Sequence, residues 1–95
     1  MSAARGVVSA EDERVRVTTW TFDSPGAATG HHRHELDYVV VPVTGGTFRV
    51  VEADGSEREM EQVAGSPYLG TAGTEHDVIS ASDVVAVFVE IELKG

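Results

Sequence analysis

Three of the four histidines in this chain fall within residues 31–34, and the fourth, His76, lies much further along. Neutral imidazoles are suitable ligands for iron, manganese, nickel, copper and zinc. Residues two apart on a β-strand point to the same side, so His32 and His34 can direct two imidazoles at one point. We therefore predict a metal site in which a distant strand supplies His76. His31 has the opposite parity, and we expect it at the surface.

Composition restricts the classes of function. The chain has 95 residues, no cysteine and a formal net charge of −9, from 16 acidic and 7 basic residues. A field of this sign repels phosphate backbones and anionic membrane surfaces, so neither nucleic acid nor membrane is an expected partner. The N-terminus has no long apolar segment, and we expect a cytoplasmic protein. A chain this short buries only about 60–65% of its surface, so association into a homodimer would enlarge its core.

Short extended segments separated by turn residues run through the sequence, and helical periodicity is absent. Residues 1–13 are small and polar, and we expect a loose N-terminal arm before one domain over 14–93. A hairpin is predicted at Asp54-Gly55, with a type I′ turn. The expected strands are 14–22, 32–43, 47–53, 56–63, 68–69, 76–80 and 84–93. About seven such strands predict an antiparallel β-sandwich or barrel.

The last expected strand, 84–93, alternates between two different faces. One face is apolar throughout, and we expect it in the core or in a subunit interface. The other face carries Glu90 and Glu92, which we expect to be exposed. The apolar face consists of Val85, Val87, Val89, Ile91 and Leu93.

The histidine cluster lies in a glycine-bounded segment of regular spacing. Gly26 is followed by five residues, then His32-Arg33-His34, three residues, Tyr38, six residues and Gly45. This spacing resembles the first signature segment of the cupin superfamily, in which glutamate occupies the place of Tyr38. The glutamate is a metal ligand in most cupins, so its replacement is the main departure from the family pattern.

A second segment has matching spacing around His76. Gly65 is followed by five residues, then Thr71-Ala72-Gly73, two residues, His76, three residues and Ser80. It resembles the second cupin segment, with Thr71 in the place of proline and Ser80 in the place of asparagine. Two spaced segments are a more specific signal than a single His-x-His. The resemblance covers roughly residues 14–93.

The resemblance implies a jelly-roll β-barrel in which His32, His34 and His76 bind a divalent transition metal: iron, manganese, nickel or zinc. Tyr38 is then expected near the metal as a catalytic residue, although an ordinary core position is the alternative for its ring. A polar patch that binds no metal is the alternative for the three histidines.

No carboxylate of this chain stands at the motif's glutamate position. Glu35 and Asp37 are close in sequence but have the wrong parity on a regular strand. Glu90, from the last strand, is a remote candidate. The sequence therefore favours a three-histidine site completed by water, and such a site favours an anionic ligand.

The functional expectation is a metal-binding cupin that acts on a small organic acid, thiol or carbonyl compound, in a dioxygenase- or isomerase-like reaction. The chain also looks like the small stand-alone cupins labelled as β-alanine degradation proteins, which implies a place in amino-acid catabolism. The alternative is a non-catalytic module that binds a small ligand or senses a metabolite. No second, DNA-binding domain is expected, which weakens a regulatory role.

Overall fold

The structure is a computed structural model that describes residues 3–95, and within them it contains nine β-strands and no helix. This confirms the expected all-β class. No helix long and apolar enough to cross a membrane occurs in the described residues. The strands are β1 (Arg5–Glu11), β2 (Val15–Phe22), β3 (His32–Arg33), β4 (Tyr38–Pro42), β5 (Gly46–Glu52), β6 (Glu57–Gln62), β7 (Tyr68–Gly70), β8 (Glu75–Ser80) and β9 (Ala86–Leu93).

Two antiparallel sheets enclose the core. The five-stranded sheet has the order β1-β2-β9-β4-β7, and the four-stranded sheet has the order β3-β8-β5-β6. Three phenylalanines, Phe22, Phe48 and Phe88, are buried between them. Their ring centroids lie 5.1, 5.4 and 5.9 Å apart, the spacing of aromatic pairs in edge-on and tilted contact. This aromatic cluster fills one part of the barrel and leaves room for a cavity elsewhere.

The expectation of a loose N-terminal arm is wrong over Arg5–Glu11, which forms the edge strand β1 and pairs with β2. Every residue of β1 is exposed, so ladder hydrogen bonds rather than an apolar face hold it in place. Arg5 also forms an ion pair with Asp23 at 3.1 Å. Residues 1 and 2 of the expected arm lie outside the described residues.

The single strand expected over 32–43 is divided into β3 and β4. Between them the chain bends and pairs with the turn that precedes β8. The His34 amide donates to the Thr74 carbonyl at 2.8 Å, and the Gly73 amide donates to the His34 carbonyl at 2.7 Å. Gly73 has a φ of 91°, which side-chain-bearing residues rarely adopt. This pairing holds His34 close to β8.

The two faces of β9 are the reverse of the expected ones. Ala86 and Phe88 are buried, and the side chains of Glu90 and Glu92 on the same face are only 12% and 13% exposed. The apolar face therefore lies outside the barrel, where most of its residues are half-buried. The expectation of exposed glutamates is wrong, because the inner face of this strand also lines the site. Association into a homodimer through the outer face stays a prediction.

Candidate metal centre

The register of β3 and β8 brings two of the predicted ligands together. His32 and His76 are direct cross-strand partners, so their side chains leave neighbouring backbone positions on one face. His34 follows two residues after His32, at the bend before β4. Its Nε2 atom lies 3.1 Å from Nε2 of His32 and 3.2 Å from Nε2 of His76. The ligand atoms of the three side chains all lie within 4.8 Å of one another.

A hydrogen bond fixes the tautomer of His32, while Nδ1 of His76 is buried without a hydrogen-bond partner among the described residues. Nδ1 of His32 lies 2.8 Å from the Gly30 carbonyl oxygen, so it carries the proton and leaves the Nε2 lone pair free. Nε2 of His34 faces two other imidazole nitrogens, and a single proton on it satisfies only one of them. A cation at the centre would satisfy the lone pairs of all three Nε2 atoms. The arrangement of these nitrogens fits a transition metal such as zinc or iron, as the sequence predicts.

The two buried imidazoles favour their neutral, metal-binding form. Burial, together with a smaller contribution from the neighbouring His32, lowers the pKa of His34 to about 4. Burial also lowers the pKa of His76 to about 4, with added contributions from His32 and His34. Metal ions compete with protons for these nitrogens, so a lowered pKa favours metal binding near neutral pH.

Tyr38 contacts the cluster through its ring. The buried ring stacks on the His34 imidazole, with centroids 3.9 Å apart and planes 21° from parallel. Burial raises the pKa of Tyr38, and a hydrogen bond from the Thr74 side chain opposes that shift. Gly70 faces Tyr38 across β4 and β7, where a Cβ atom would overlap the phenol ring. The catalytic role assigned to Tyr38 from the sequence stays a prediction.

Within residues 3–95, Glu90 is the one carboxylate with a short contact to the cluster. Its Oε1 atom lies 3.9 Å from Nε2 of His34. Burial raises the pKa of Glu90 to about 7, the nearby Glu92 adds to the rise, and a hydrogen bond from Trp20 opposes it. The sequence gives Glu90 little weight, because the parity that it shares with Phe88 marks the inner face only once the burial of Phe88 is known.

The other candidates lie outside the cluster, as expected. His31 is exposed, and its Nε2 atom pairs with the Glu75 carboxylate at 3.1 Å. Glu35 is an exposed side chain beside Arg33. Asp37 accepts a hydrogen bond from the Ala72 amide at 2.8 Å and so holds the loop before β8.

A cavity of about 570 Å³ opens beside the cluster, a volume within the range of small-molecule sites. Its polar lining includes His32, His76 and Glu90, and Arg58 also borders it. The apolar and aromatic lining includes Trp20, Val40, Met60, Tyr68 and Phe88. A few polar groups at one side of an apolar wall are typical of a site that orients a small ligand.

Two antiparallel sheets around this three-histidine cluster define the class of protein: the chain belongs to the cupin superfamily. It is 49% identical to the β-alanine degradation protein BauB of Pseudomonas aeruginosa over 87 residues, which cover 92% of this chain and 90% of BauB. No protein-family model matches the chain.

Solved structures agree with this assignment. The crystal structure of a cupin domain from Bordetella pertussis has a TM-score of 0.92 and 44% sequence identity, and the match covers 99% of this chain and 96% of that one. The polyketide cyclase RemF of Streptomyces resistomycificus has a TM-score of 0.71 at 18% identity, covering 99% of this chain and 69% of RemF. At that identity the likeness concerns the fold alone.

Proposed function

We propose that this protein is a metal-dependent cupin that binds a small carboxylate- or carbonyl-bearing compound and converts it in a dioxygenase- or isomerase-like reaction. The observation that carries the proposal is the convergence of three Nε2 atoms, from His32, His34 and His76, at the wall of a ligand-sized cavity. A polar patch without metal would leave these lone pairs facing one another.

The charge of the site supports an anionic ligand. Three neutral imidazoles leave the double positive charge of a divalent ion uncompensated, and Glu90, the only close carboxylate among residues 3–95, would offset at most half of it. When bound, such a metal supplies Lewis acidity toward an oxygen of the ligand, and iron would add oxygen activation. The name of BauB points to β-alanine or a related three-carbon acid as the first compounds to examine.

Different residues of the chain would hold the ion, position the ligand and donate a hydrogen bond to it. The three histidines fix the position of the ion, and the Tyr38 ring keeps His34 in its plane. The apolar wall around Val40 and Phe88 holds the carbon skeleton of the ligand and limits the access of water. The Tyr38 hydroxyl is the candidate to donate a hydrogen bond toward a reacting oxygen.

Ligand binding can be followed through Trp20, the single tryptophan of the chain, because it lines the cavity. Protein loaded with iron, manganese, nickel or zinc is titrated with β-alanine and with three-carbon acids that carry an aldehyde, hydroxyl or thiol group. We expect a saturable change in Trp20 emission and turnover of a compound in this panel. The His76→Ala variant should show neither. Binding without turnover would indicate a non-catalytic ligand-binding module, and an unchanged emission throughout would contradict the proposal.

A further inference from the structure

We infer that Glu90 is a fourth protein ligand of the metal, supplied by β9 rather than by the strand that follows the histidine motif. The inference rests on the proposed metal site and adds a residue to it. It gives the site a carboxylate from a part of the sequence with no motif around it.

The distance between the two groups permits shared coordination. Two atoms that each lie about 2.1 Å from one ion are at most about 4.2 Å apart. Oε1 of Glu90 lies 3.9 Å from Nε2 of His34, inside that limit. His32 and His76 form no comparably short contact with the carboxylate in the described residues, so shared coordination requires the Glu90 side chain to shift toward the ion. His34 is also the ligand that contacts both other histidines, so the carboxylate approaches the central nitrogen of the cluster.

Glu90 lacks the ion pair that the neighbouring Glu92 forms with an arginine. Glu92, two residues along the same face, accepts two hydrogen bonds from the Arg16 guanidinium at 2.9 and 3.0 Å. Among residues 3–95, no lysine or arginine forms an ion pair with Glu90. Among the described residues, Trp20 donates a hydrogen bond to Glu90, and Arg16 acts on the carboxylate through its charge without forming an ion pair with it. A carboxylate buried without a directly paired cation is costly, and an ion held by the histidines would supply that partner.

The strand register explains how the carboxylate reaches the cluster. Across β4 and β9, Tyr38 is opposite Glu92 and Val40 is opposite Glu90. The Tyr38 ring covers one face of the His34 imidazole, and Val40 and Glu90 both line the cavity beside it. Glu90 can therefore contact the edge of the same imidazole that carries Nε2.

The test compares metal binding by the wild type with binding by Glu90→Gln, Glu90→Asp and the matched control Glu92→Gln. Titration calorimetry with Zn²⁺ gives the affinity, and the visible absorption of Co²⁺-loaded protein reports the ligand set. We expect Glu90→Gln to lower the Zn²⁺ affinity about tenfold or more and to change the Co²⁺ bands. Glu90→Asp keeps the charge but shortens the side chain, and we expect the same direction. Glu92→Gln should remain close to wild type.

Two kinds of failure are distinguishable in this design. If the wild type binds neither Zn²⁺ nor Co²⁺, the proposed metal site itself is wrong. If the wild type binds both ions and the two Glu90 variants keep its affinity and its Co²⁺ bands, only the role of Glu90 is overturned. Far-UV circular dichroism of each variant checks the fold, and Glu90→Asp carries the test if Glu90→Gln does not fold.

Discussion

The Tyr38 ring lies nearly parallel to the His34 imidazole, with 3.9 Å between the ring centroids. A side chain stacked in this way restrains the orientation of a ligand without coordinating the ion. The residue at the motif's glutamate position would therefore act on a bound metal through His34. Its ring and its hydroxyl have separable roles, because the ring stacks on the imidazole and the hydroxyl forms a hydrogen bond with Thr74.

Substitution of Tyr38 separates these roles. We expect Tyr38→Phe to keep the metal affinity within about threefold of wild type, because the stacked ring remains. Tyr38→Leu should weaken metal binding, since His34 loses that support. Metal titration measures both variants. If the hydroxyl is catalytic, as the sequence predicts, Tyr38→Phe loses turnover while keeping its metal. Equal turnover in Tyr38→Phe and wild type would limit Tyr38 to a positioning role.

Gly70 is required for the position of the Tyr38 ring. A methyl group at residue 70 would overlap that ring, so Gly70→Ala must push Tyr38 away from its present place. We expect the free energy of unfolding to fall by about 1–3 kcal/mol, the usual cost of overpacking, together with a weaker metal affinity. Urea denaturation and metal titration measure the two effects. The control is Leu69→Ala, because the neighbouring Leu69 is 80% exposed. If the Gly70→Ala protein were as stable as this control, the close packing of Gly70 against the Tyr38 ring would be contradicted.

The stability of the metal-free protein should depend on pH through its buried histidines. Burial lowers the pKa of His34 and of His76 from 6.5 to about 4. Between these pH values the unfolded chain therefore binds more protons than the folded chain. The free energy of unfolding is therefore expected to fall as the pH decreases from 6.5 to 4. Urea denaturation at a series of pH values measures it. The two histidines would not be buried in their neutral form if the free energy of unfolding increased as the pH fell from 6.5 to 4. The separate contribution of Glu90 to this pH dependence must first be subtracted.

Glu90 has the opposite effect on the pH dependence of stability from that of the two histidines. Burial raises the pKa of Glu90 from 4.5 to about 7. Its contribution to the free energy of unfolding is therefore complete below pH 4.5 and is lost as the pH rises through 7. In the metal-free protein, Glu90→Gln should therefore increase stability at pH 8, by at most about 3 kcal/mol, and change it little at pH 4.5. Thermal denaturation at both values compares the variant with wild type. Destabilisation at pH 8 would show that the ionised carboxylate already has a stabilising partner.

The sequence predicts the histidine cluster well because its rules are local. Strand parity distinguishes His32 and His34 from His31, and the spacing of the glycines brings in His76. The hairpin at Asp54-Gly55 also forms, but not with the expected type I′ turn. Glu52 and Ser56 close a three-residue loop, and positive φ occurs at Gly55 and not at Asp54.

The sequence does not predict strand β1 or the inward face of β9, because both depend on contacts with residues far away in the chain. β1 is an exposed edge strand, so it lacks the alternation by which a strand is recognised. The inward face of β9 is selected by Phe88 packing on Phe22 and by Arg16 pairing with Glu92, and neither contact is readable from residues 84–93 alone. Glu90 follows that face into the site.

Metal content is the most direct test of the histidine site. Protein purified without a histidine tag and reconstituted with iron, manganese, nickel or zinc is analysed by elemental mass spectrometry. We expect about one ion per chain in the wild type and in the control His31→Ala, whose side chain lies outside the cluster. His32→Ala and His76→Ala should each lose the ion. A wild type that binds none of these metals, or an ion retained by both variants, would contradict the site.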